Sequence, residues 1–372
     1  MKLVAGILSL FVLGIAVFFL LSKNTNTSLP AIISDQQNSD KNIDPNIPDT
    51  EIVAENLEVP WGMAFLPTGE LLVTERQGTI KLIDLNSKKS TEIAQIENVK
   101  QVGESGLHGL AIHPNFALNP YIYIYHTYSA DGENTSNRVL KYTYSNNTLS
   151  QPEIILDKIP GNIFHDGGRI KFGPDGMLYI TTGDAQNPSS AQDTSSLAGK
   201  ILRLTDTGEV PSDNPFGTPV YSYGHRNPQG ITWDQNGNLW ETEHGNKATD
   251  EVNLIEKGKN YGWPDVFGET KKAGTIAPVI QSGSETWAPT GIISTNNQLF
   301  FTGLRGQSLY RASIDSGKIS SVSKLFTGEF GRLRNIIVGP DNLLYIATSN
   351  RDGRGTPNPG DDKIIRINPD KL

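Results

Sequence analysis

Residues 173–181 read GPDGMLYIT, in which turn-forming residues are followed by an apolar and β-branched run. Pro, Asp and Gly favour a tight turn, and the run after them favours a β-strand. A second apolar run precedes the turn, so the unit is strand, turn, strand. The same unit recurs, once in degenerate form, at residues 66–74, 113–125, 234–242, 295–302 and 339–348. Six such units at a period of tens of residues indicate a repetitive β architecture.

The repeat favours a single domain, although the length of 372 residues alone slightly favours two. A linear stack of hairpins would expose strand edges at both ends, whereas a closed ring of blades removes them. We therefore predict an all-β fold, a six-bladed β-propeller over residues 50–372, with seven blades as the alternative count. The strands at residues 51–54 and 363–368 are expected to share one blade and close the ring.

The N-terminal region predicts a position outside the cytoplasm. Residues 3–21 are almost uninterruptedly apolar, and a helix of this length can cross a bilayer. No small-x-small cleavage site follows, so we expect residues 1–23 to be an uncleaved membrane anchor, with a cleaved signal peptide as the alternative. Residues 24–49 are rich in Asn, Ser, Asp and Pro, which is typical of a flexible, disordered linker. The body would then lie in the periplasm or at the cell exterior, tethered to the cytoplasmic membrane.

Composition excludes several classes of protein. The chain has no cysteine, which excludes disulfides, thiolate catalysis and iron–sulfur clusters. A net charge of −8 argues against nucleic acid as a partner, because that partner calls for a basic surface. Neither an HxH nor an HExxH spacing occurs, so no transition-metal site is indicated.

The hairpin geometry predicts which face carries the chemistry. In a ring of equivalent hairpins, the start of each first strand and the end of each second strand lie on one face, around the channel. Most of the residues at these positions are arginines, histidines or carboxylates. The positions include Trp61, Arg76, Glu104, His165, Asp184, Arg226, Asn227, His244, Arg305, Arg332 and Arg334. Converging guanidinium groups favour an anionic, planar partner, and a histidine among them is a candidate base. For any one residue, a structural ion pair is the alternative.

Two segments on this predicted face are the most informative. His165 is followed by the paired glycines 167 and 168, which allow close approach of backbone or ligand. Residues 245–253 are loop-like and rich in oxygen ligands of the kind that suits Ca²⁺, although they do not match the EF-hand pattern.

Seven motifs occur in a fixed order, and they carry a family resemblance. They are PWGMAF (60–65), GLHGLAIHP (106–114), HDGGR (165–169), GHRNPQG (224–230), NYGWP (260–264), LRG (304–306) and RLR (332–334). Together they resemble the soluble PQQ-dependent glucose/sorbosone (aldose sugar) dehydrogenase family over about residues 50–370. The resemblance implies a six-bladed β-propeller that oxidises an aldose at its anomeric carbon to the lactone. Hydride would pass to PQQ, and electrons would then pass to an external acceptor.

The resemblance implies roles for residues at the reacting centre. His165 falls on the general base, which takes the proton of the anomeric hydroxyl. Arg226 falls on a quinone contact and would stabilise negative charge on a quinone oxygen. Glu104 stands where the best-known glucose enzymes have a glutamine near the substrate, and Phe164 stands where they have an aspartate. Both departures are expected to affect recognition of the sugar.

The resemblance also implies a set of PQQ-binding residues. Asn227 matches a second quinone contact, and Arg332 with Arg334 matches the pair that binds the PQQ carboxylates. Arg305 falls where the glucose enzymes have a lysine, so the charge is kept while the geometry differs.

Two calcium sites follow from the same resemblance. The carbonyls of Gly245 and Asn246 match ligands of the Ca²⁺ that bridges to PQQ, where the ion acts as a Lewis acid. Asp250 or Glu251, with the backbone of Tyr261, matches a second, structural Ca²⁺ site.

Two other functions fit a propeller of this kind. One is a calcium-dependent hydrolase of the lactonase type, although a channel rich in arginine disfavours a bare cation. The other is a non-enzymatic propeller that binds a protein or a glycan.

Overall fold

The computed structural model describes Ile43 and residues 46–372 except Ser316. The predicted anchor and most of the predicted linker lie outside the described residues. Ile43 and Ile47, near the end of that linker, are partly buried against the hydrophobic core. Across the described ranges, helices with the length and apolarity needed for a membrane span are absent.

The described chain forms 24 strands and two short 3-10 helices, at Pro188–Gln192 and Pro369–Lys371. In chain order the strands are β1 (Thr50–Ala54), β2 (Pro60–Phe65), β3 (Leu71–Glu75), β4 (Thr79–Asp84), β5 (Lys89–Gln95), β6 (Leu107–Ile112), β7 (Tyr121–Tyr128), β8 (Ser136–Ser145), β9 (Thr148–Pro160), β10 (Ile170–Phe172), β11 (Leu178–Thr182), β12 (Lys200–Leu204), β13 (Val220–Tyr223), β14 (Pro228–Trp233), β15 (Leu239–Glu243), β16 (Glu251–Ile255), β17 (Ile280–Gln281), β18 (Pro289–Thr295), β19 (Gln298–Gly303), β20 (Ser308–Asp315), β21 (Lys318–Leu325), β22 (Leu333–Val338), β23 (Leu344–Thr348) and β24 (Ile364–Ile367).

These strands make six antiparallel four-stranded sheets, the blades of a propeller. Blades one to five are β2–β5, β6–β9, β10–β13, β14–β17 and β18–β21, and blade six is β22, β23, β24 and β1. The first strands of the blades, β2, β6, β10, β14, β18 and β22, contact one another in ring order. The predicted six-bladed β-propeller is confirmed, and the count of seven is wrong.

Blade six closes the ring as expected. Strand β1, from the beginning of the described chain, pairs with β24 at its end, with Thr50 opposite Ile367 and Ile52 opposite Ile365. The Arg366 guanidinium also forms an ion pair with Glu51 across this seam. The pairing therefore removes two free strand edges at once.

The hydrophobic core lies between blades, in six clusters that each join two neighbours. Strand β11 explains the arrangement, because alternate side chains of a strand point to opposite faces. Leu178 and Ile180 pack toward blade two, whereas Tyr179, between them, packs toward blade four. Both faces of a blade are thus buried, which is why the strands read as continuous apolar runs.

The recurring turn has a structural purpose at the opposite end of the blades. In GPDGMLYIT, Asp175 accepts the backbone N–H of Met177, and the hydroxyl of Tyr179 donates to the same carboxylate at 3.1 Å. Asp341 and Tyr345 repeat this contact at 2.7 Å. The aspartate therefore holds the turn and anchors the aromatic residue of the next strand.

Candidate active site

Four arginines are gathered and buried around the channel. Arg76, Arg169, Arg332 and Arg334 are only 6–8 % exposed. Arg169 precedes β10, Arg332 precedes β22, Arg334 lies at its start, and Arg76 follows β3. The hairpin argument predicted this convergence for Arg76, Arg332 and Arg334, since these strand ends share a face, and the structure adds Arg169 to them.

An aromatic stack lies against these arginines. Trp61 stacks on His108 with ring centroids 5.0 Å apart, and His108 stacks on Tyr125 at 5.9 Å. The guanidinium of Arg169 lies 4.2 Å from the Trp61 ring centroid, and that of Arg334 lies 5.7 Å from it. Cation–π contacts of this kind hold guanidinium groups in fixed planes.

His108 is a neutral packing residue. Its Nε2 lies 2.9 Å from the carbonyl of Glu104, so Nε2 carries the proton and donates. Burial, and then the nearby arginines, lower the pKa of His108 to about 3. His108 therefore packs within the aromatic stack and has no place among the candidate bases.

The buried arginines have hydrogen-bond capacity left over. Around the channel, four guanidinium nitrogens and one amide nitrogen are buried and have no hydrogen-bond partner among the described residues: Arg76 Nε, Arg169 Nη2, Arg226 Nε, Arg334 Nε and Asn227 Nδ2. Burial lowers the pKa of Arg169 to about 9 and that of Arg334 to about 10. Unpaired buried donors are costly, so the channel is built for an anion that supplies acceptors.

Three polar side chains set the positions of these groups. Arg332 forms an ion pair with Asp352 at 2.7 Å, and Arg334 donates through Nη1 to Oε1 of Gln229 at 3.1 Å. Gln229 in turn donates to the side-chain oxygen of Asn227, which also accepts the backbone N–H of Gly167 at 3.1 Å. The predicted cofactor residues Asn227, Arg332 and Arg334 are therefore brought together.

Arg305 does not join this group. Its side chain is exposed, and it makes no hydrogen bond or ion pair with the other residues that the structure describes. Its predicted contact with PQQ therefore stays a prediction, for a side chain on the surface at the same end of the propeller.

His165 lies in a rigid loop at the channel, and a carboxylate orients its ring. Its Nδ1 lies 2.8 Å from Oδ1 of Asp184, and Asp184 also accepts the indole N–H of Trp263 at 2.9 Å. Because Nδ1–H donates to the carboxylate, Nε2 is left as the acceptor, which is the state a general base needs. His165 has a φ of 63°, and a Cβ on Gly183 would lie 1.8 Å from its carbonyl oxygen. The backbone of Gly183 thus packs so closely on the His165 loop that no side chain fits at position 183.

Asp166 anchors the same loop to blade two. Its carboxylate lies 2.9 Å from Asn137 Nδ2 and 2.7 Å from the Ser105 hydroxyl. The Ser105 oxygen also lies 2.5 Å from the carbonyl of Asn162, and one hydroxyl proton cannot serve both acceptors. A protonated Asp166 would resolve this conflict by donating to Ser105. Burial raises the pKa of Asp166 to about 6, in agreement.

We expect the Asp166→Asn variant to be folded and to differ from the wild type in its pH dependence. The folded-state pKa is above the usual value of 3.8, so the carboxyl contributes most below pH 4 and this contribution is lost as pH rises to about 6. The asparagine side chain does not titrate. Urea unfolding at pH 4.5 and pH 7.5 should therefore show a relative gain for the variant at pH 7.5, up to about 2 kcal/mol. An equal difference at both pH values would contradict the protonated state.

Arg226 lies beside His165 and above an aromatic ring. Its guanidinium is 5.4 Å from the Trp263 ring centroid and donates to the carbonyl of His244 at 3.1 Å. Its backbone N–H donates to Glu243, and its carbonyl accepts the backbone N–H of Asp184 at 2.8 Å. The two predicted catalytic residues are thus linked through Asp184 and Trp263, neither of which had a predicted role.

The predicted calcium residues separate into two groups. Asp250 is the centre of the first: its carboxylate accepts backbone N–H groups of Gly245 at 2.8 Å, Trp287 at 2.6 Å and Ala288 at 2.8 Å. These contacts fix the loop that carries Gly245 and the exposed Asn246. Asp250 therefore shapes the loop of the first predicted site, and its oxygens are already engaged.

Glu251 belongs to a second group, a buried acidic cluster in blade four that also contains Glu241, Glu243 and Asn253. Strands β15 and β16 place Glu241 opposite Asn253 and Glu243 opposite Glu251. Oε1 of Glu241 and Oδ1 of Asn253 are buried and unpartnered within the described ranges. Burial and the charge of Glu243 raise the pKa of Glu251 to about 8 and that of Glu241 well above its usual range.

The predicted residue Tyr261 lies next to the acidic cluster. Its ring stacks on His225 with centroids 4.8 Å apart, and His225 Nδ1 lies 3.0 Å from Glu243. Ligand atoms of His225, Glu241 and Glu243 lie within 4.8 Å of one another, close enough to share an ion. The sequence signal for Glu241, Glu243 and Asn253 was their alternate spacing on two adjacent strands, which places them on one face.

A cavity of about 600 Å³ is lined by Asp184, the partner of His165, and by Ile163 of the same loop, although His165 itself is not part of its wall. Asp184, Asn162 and Asn187 contribute polar atoms to its wall, and Ile163 contributes an apolar part. A volume and lining of this kind suit a small polar molecule.

Comparison with known proteins places the chain in a family. The family profile described as Glucose / Sorbosone dehydrogenase matches residues 57–365. The aldose sugar dehydrogenase YliI of Escherichia coli is 31 % identical over 83 % of this chain and 92 % of its own length. Quinoprotein glucose dehydrogenase B of Acinetobacter calcoaceticus is 34 % identical over 61 % of this chain and 54 % of its own. The PQQ-bound aldose sugar dehydrogenase of Streptomyces coelicolor has a TM-score of 0.81, with 38 % identity over 85 % of this chain and 97 % of that one.

The fold and these matches define a propeller dehydrogenase of the quinoprotein class. The chain belongs to the glucose/sorbosone dehydrogenase family. The resemblance inferred from the seven ordered motifs is confirmed, and so is the assignment to the oxidoreductases.

Proposed function

We propose that this protein oxidises an aldose at its anomeric carbon to the lactone, with PQQ as the hydride acceptor. The observation that carries the proposal is the set of buried, unpartnered arginine nitrogens beside a histidine that a carboxylate orients. The PQQ-bound relative from Streptomyces supports the choice of cofactor.

The donor set of the channel fits PQQ, a planar molecule with three carboxylates. Arg334, Arg169 and Asn227 would hold its carboxylates and quinone oxygens, since each has a buried N–H group without an acceptor within the described chain. Arg332, whose guanidinium is held by Asp352 and by the carbonyl of Leu304, would add its positive charge beside them. Guanidinium groups bind carboxylates through paired hydrogen bonds and stack on flat rings. Arg305, exposed nearby, would approach a carboxylate at the rim. When bound, PQQ supplies the two-electron acceptor for the reaction.

His165 would move the proton. Its Nε2 takes the proton of the anomeric hydroxyl, while the hydride leaves the anomeric carbon and the carbonyl of the lactone forms. Asp184, at 2.8 Å from Nδ1, stabilises the imidazolium that results. Trp263 holds the second oxygen of Asp184 and so fixes the plane of the carboxylate.

Arg226 and Glu104 would act on either side of the reacting centre. Burial lowers the pKa of the Arg226 guanidinium, and a charge in such a site acts strongly on negative charge that develops beside it. Glu104 would accept hydroxyl groups of the sugar at the channel mouth. Electrons would leave to an external acceptor.

We further propose that Ca²⁺ binds at two places. Carbonyls of Gly245 and Asn246 would bind the ion that serves PQQ. Glu251 and the Tyr261 backbone would bind the second, with Glu241 and Asn253 as additional ligands, because Ca²⁺ prefers hard oxygen ligands and these two carry buried free ones.

We expect Ca²⁺ to raise the melting temperature of the wild type by several degrees, and to raise that of the Glu241→Gln variant much less. Binding to the folded state alone stabilises it by about 2.7 kcal/mol at a hundredfold excess over Kd. Without Ca²⁺ the variant should be at least as stable as the wild type, because the raised pKa of Glu241 means that folding must protonate this buried carboxyl at neutral pH, and glutamine has no such cost. Glu285→Gln, at an exposed carboxylate paired with Lys324, is the control. Equal Ca²⁺ shifts in Glu241→Gln and the wild type would exclude Glu241 as a ligand.

The cellular location is proposed from the sequence. An apolar segment at residues 3–21 would tether the propeller to the outer side of the cytoplasmic membrane. Fractionation of cells that express the full chain or residues 24–372 tests this. The full chain is expected with the membranes, and recovery of both forms in the soluble fraction would point to a cleaved signal.

The activity is tested by loading the purified propeller with PQQ and Ca²⁺ and measuring dye-linked oxidation of a panel of aldoses. Turnover that needs both additions is expected. Hydrolysis of lactones without PQQ, lost on chelation, would instead support the calcium-dependent hydrolase, and absence of both activities would favour a binding propeller.

A further inference from the structure

Three loops meet at the channel mouth through Glu104, Phe164 and Arg354, and neither Phe164 nor Arg354 has a part in the proposed steps. Arg354, in the loop between β23 and β24, forms an ion pair with Glu104 at 2.8 Å. The same guanidinium lies 5.2 Å from the ring centroid of Phe164, the residue next to His165. The backbone N–H of Glu104 donates to the carbonyl of Ile163 at 2.9 Å, so the Glu104 loop is attached directly to the His165 loop.

The loop that carries Arg354 is held by contacts with Asp352, Arg332 and Asn350. The backbone N–H of Arg354 donates to Oδ1 of Asp352 at 2.9 Å, and Oδ2 of Asp352 pairs with the buried Arg332. A Cβ on Gly355 would lie 2.4 Å from the carbonyl of Asn350 and 2.9 Å from Cδ of Arg332. Arg354 is thus attached to the arginine group of the channel, while its guanidinium reaches across the mouth.

The charge of Glu104 reaches into the channel. Burial lowers the pKa of Arg76, Arg226 and Arg334, and the negative charge of Glu104 opposes that shift in all three. Because the Glu104 backbone is bonded to the loop that carries His165, a molecule bound next to His165 lies close to this carboxylate. A second anion, such as the carboxylate of a sugar acid, would be repelled there and would compete with Glu104 for Arg354.

We propose that Arg354, Glu104 and Phe164 form a specificity clasp that selects neutral aldoses over sugar acids. The inference rests on the proposed function and names the substrate class for the same site. Arg354 is a positioning residue: it holds one oxygen of Glu104, so the carboxylate stays oriented to accept hydroxyls of a neutral sugar. Phe164 supports the guanidinium and offers an apolar surface next to His165.

The clasp should be sensitive to salt. The Arg354 side chain is 54 % exposed and that of Glu104 is 28 % exposed. Such a pair is worth little and is screened by ions. In the Arg354→Gln variant we expect KM for glucose to rise about threefold at low ionic strength, with kcat unchanged. The wild-type KM should rise toward the variant value in high salt, and Arg354→Lys should recover part of the loss.

A double-mutant comparison tests the selection. The variants are Glu104→Gln, Arg354→Gln and the pair of both, assayed in the PQQ- and Ca²⁺-loaded protein with glucose and with glucuronate. Glu104→Gln leaves Arg354 unpaired at the mouth, so the ratio of kcat/KM for glucuronate to that for glucose should rise about tenfold. The double variant should lose that gain. Arg351→Gln, an exposed arginine of the same loop that pairs with Glu58, is the control for loop damage.

The outcomes separate this inference from the proposed function. A wild type without activity on any aldose would overturn the proposed function and the clasp with it. An active wild type whose Glu104→Gln variant keeps the same glucuronate preference, or whose double variant keeps the gain, would overturn the clasp alone. If Arg354→Gln does not fold, two measurements still test the clasp. They are the salt dependence of the wild-type KM and the ratio of kcat/KM for glucuronate to that for glucose in Glu104→Gln.

Discussion

The His165→Ala variant is expected to lose about 10²–10⁴ in kcat for aldose oxidation, while its affinity for PQQ stays close to that of the wild type. Nε2 of His165 is the free acceptor of a ring whose Nδ1 is held by Asp184 at 2.8 Å. Apart from Arg169, the proposed PQQ donors come from other loops, and His165→Ala removes none of them, so binding of the cofactor should survive. Steady-state kinetics and a titration of PQQ absorbance measure the two effects separately.

Two further variants test whether the loss of kcat in His165→Ala is specific to the His165 side chain. Asp184→Asn should give a smaller loss in kcat, because His165 remains but its orienting carboxylate is gone. His113→Ala removes a histidine on the first hairpin turn of blade two, where it contacts Asp206 at 3.4 Å, and should leave activity unchanged. A His165→Ala enzyme with the wild-type kcat would exclude His165 as the base.

Arg226→Gln is the second large expected loss, about 10²–10³ in kcat. The guanidinium lies over Trp263 with a free Nε, next to the loop of His165, where negative charge would develop on the quinone oxygen. Arg226→Lys keeps the charge and should recover part of the rate. The measurement is kcat under saturating PQQ and sugar.

The control for Arg226 is Arg311→Gln, on β20 in blade five, which should retain wild-type kcat. The melting temperature should be followed in parallel, because the Arg226 backbone also donates to Glu243. Equal kcat in Arg226→Gln and the wild type would contradict a role in charge stabilisation.

The propeller could be read from the sequence because its unit is local. Asp175 and Tyr179 hold one turn within five residues, and Asp341 with Tyr345 repeats the pattern. Closure by β1 and β24 also followed, since joining the two ends of the chain in one blade closes the ring. The position of the arginines was predictable for the same reason, because hairpin ends share a face.

The partners of the site residues could not be predicted, because they arise between blades. Trp263 reaches Asp184 across 79 residues, and Arg334 reaches Gln229 across 105. No local pattern gives such contacts. The same holds for Arg354 with Phe164, which distant loops bring together at the channel mouth.

The predicted metal-binding residues were predictable from the sequence only in part. Alternate spacing on β15 and β16 encodes the acidic cluster of Glu241, Glu243 and Glu251, so periodicity could have found it. Asp250 was a predicted ligand by its type, yet its oxygens already accept three backbone N–H groups. Only the fold distinguishes a carboxylate that holds a loop from one that is free to bind an ion.

The most direct measurement is a single turnover of the PQQ- and Ca²⁺-loaded protein with glucose and with glucose deuterated at the anomeric carbon, without an electron acceptor. We expect one equivalent of bound PQQ to be reduced, with lactone as the product, and a clearly slower rate for the deuterated sugar. Unchanged PQQ absorbance with either sugar, in protein shown to hold the cofactor, would contradict oxidation of an aldose at this site.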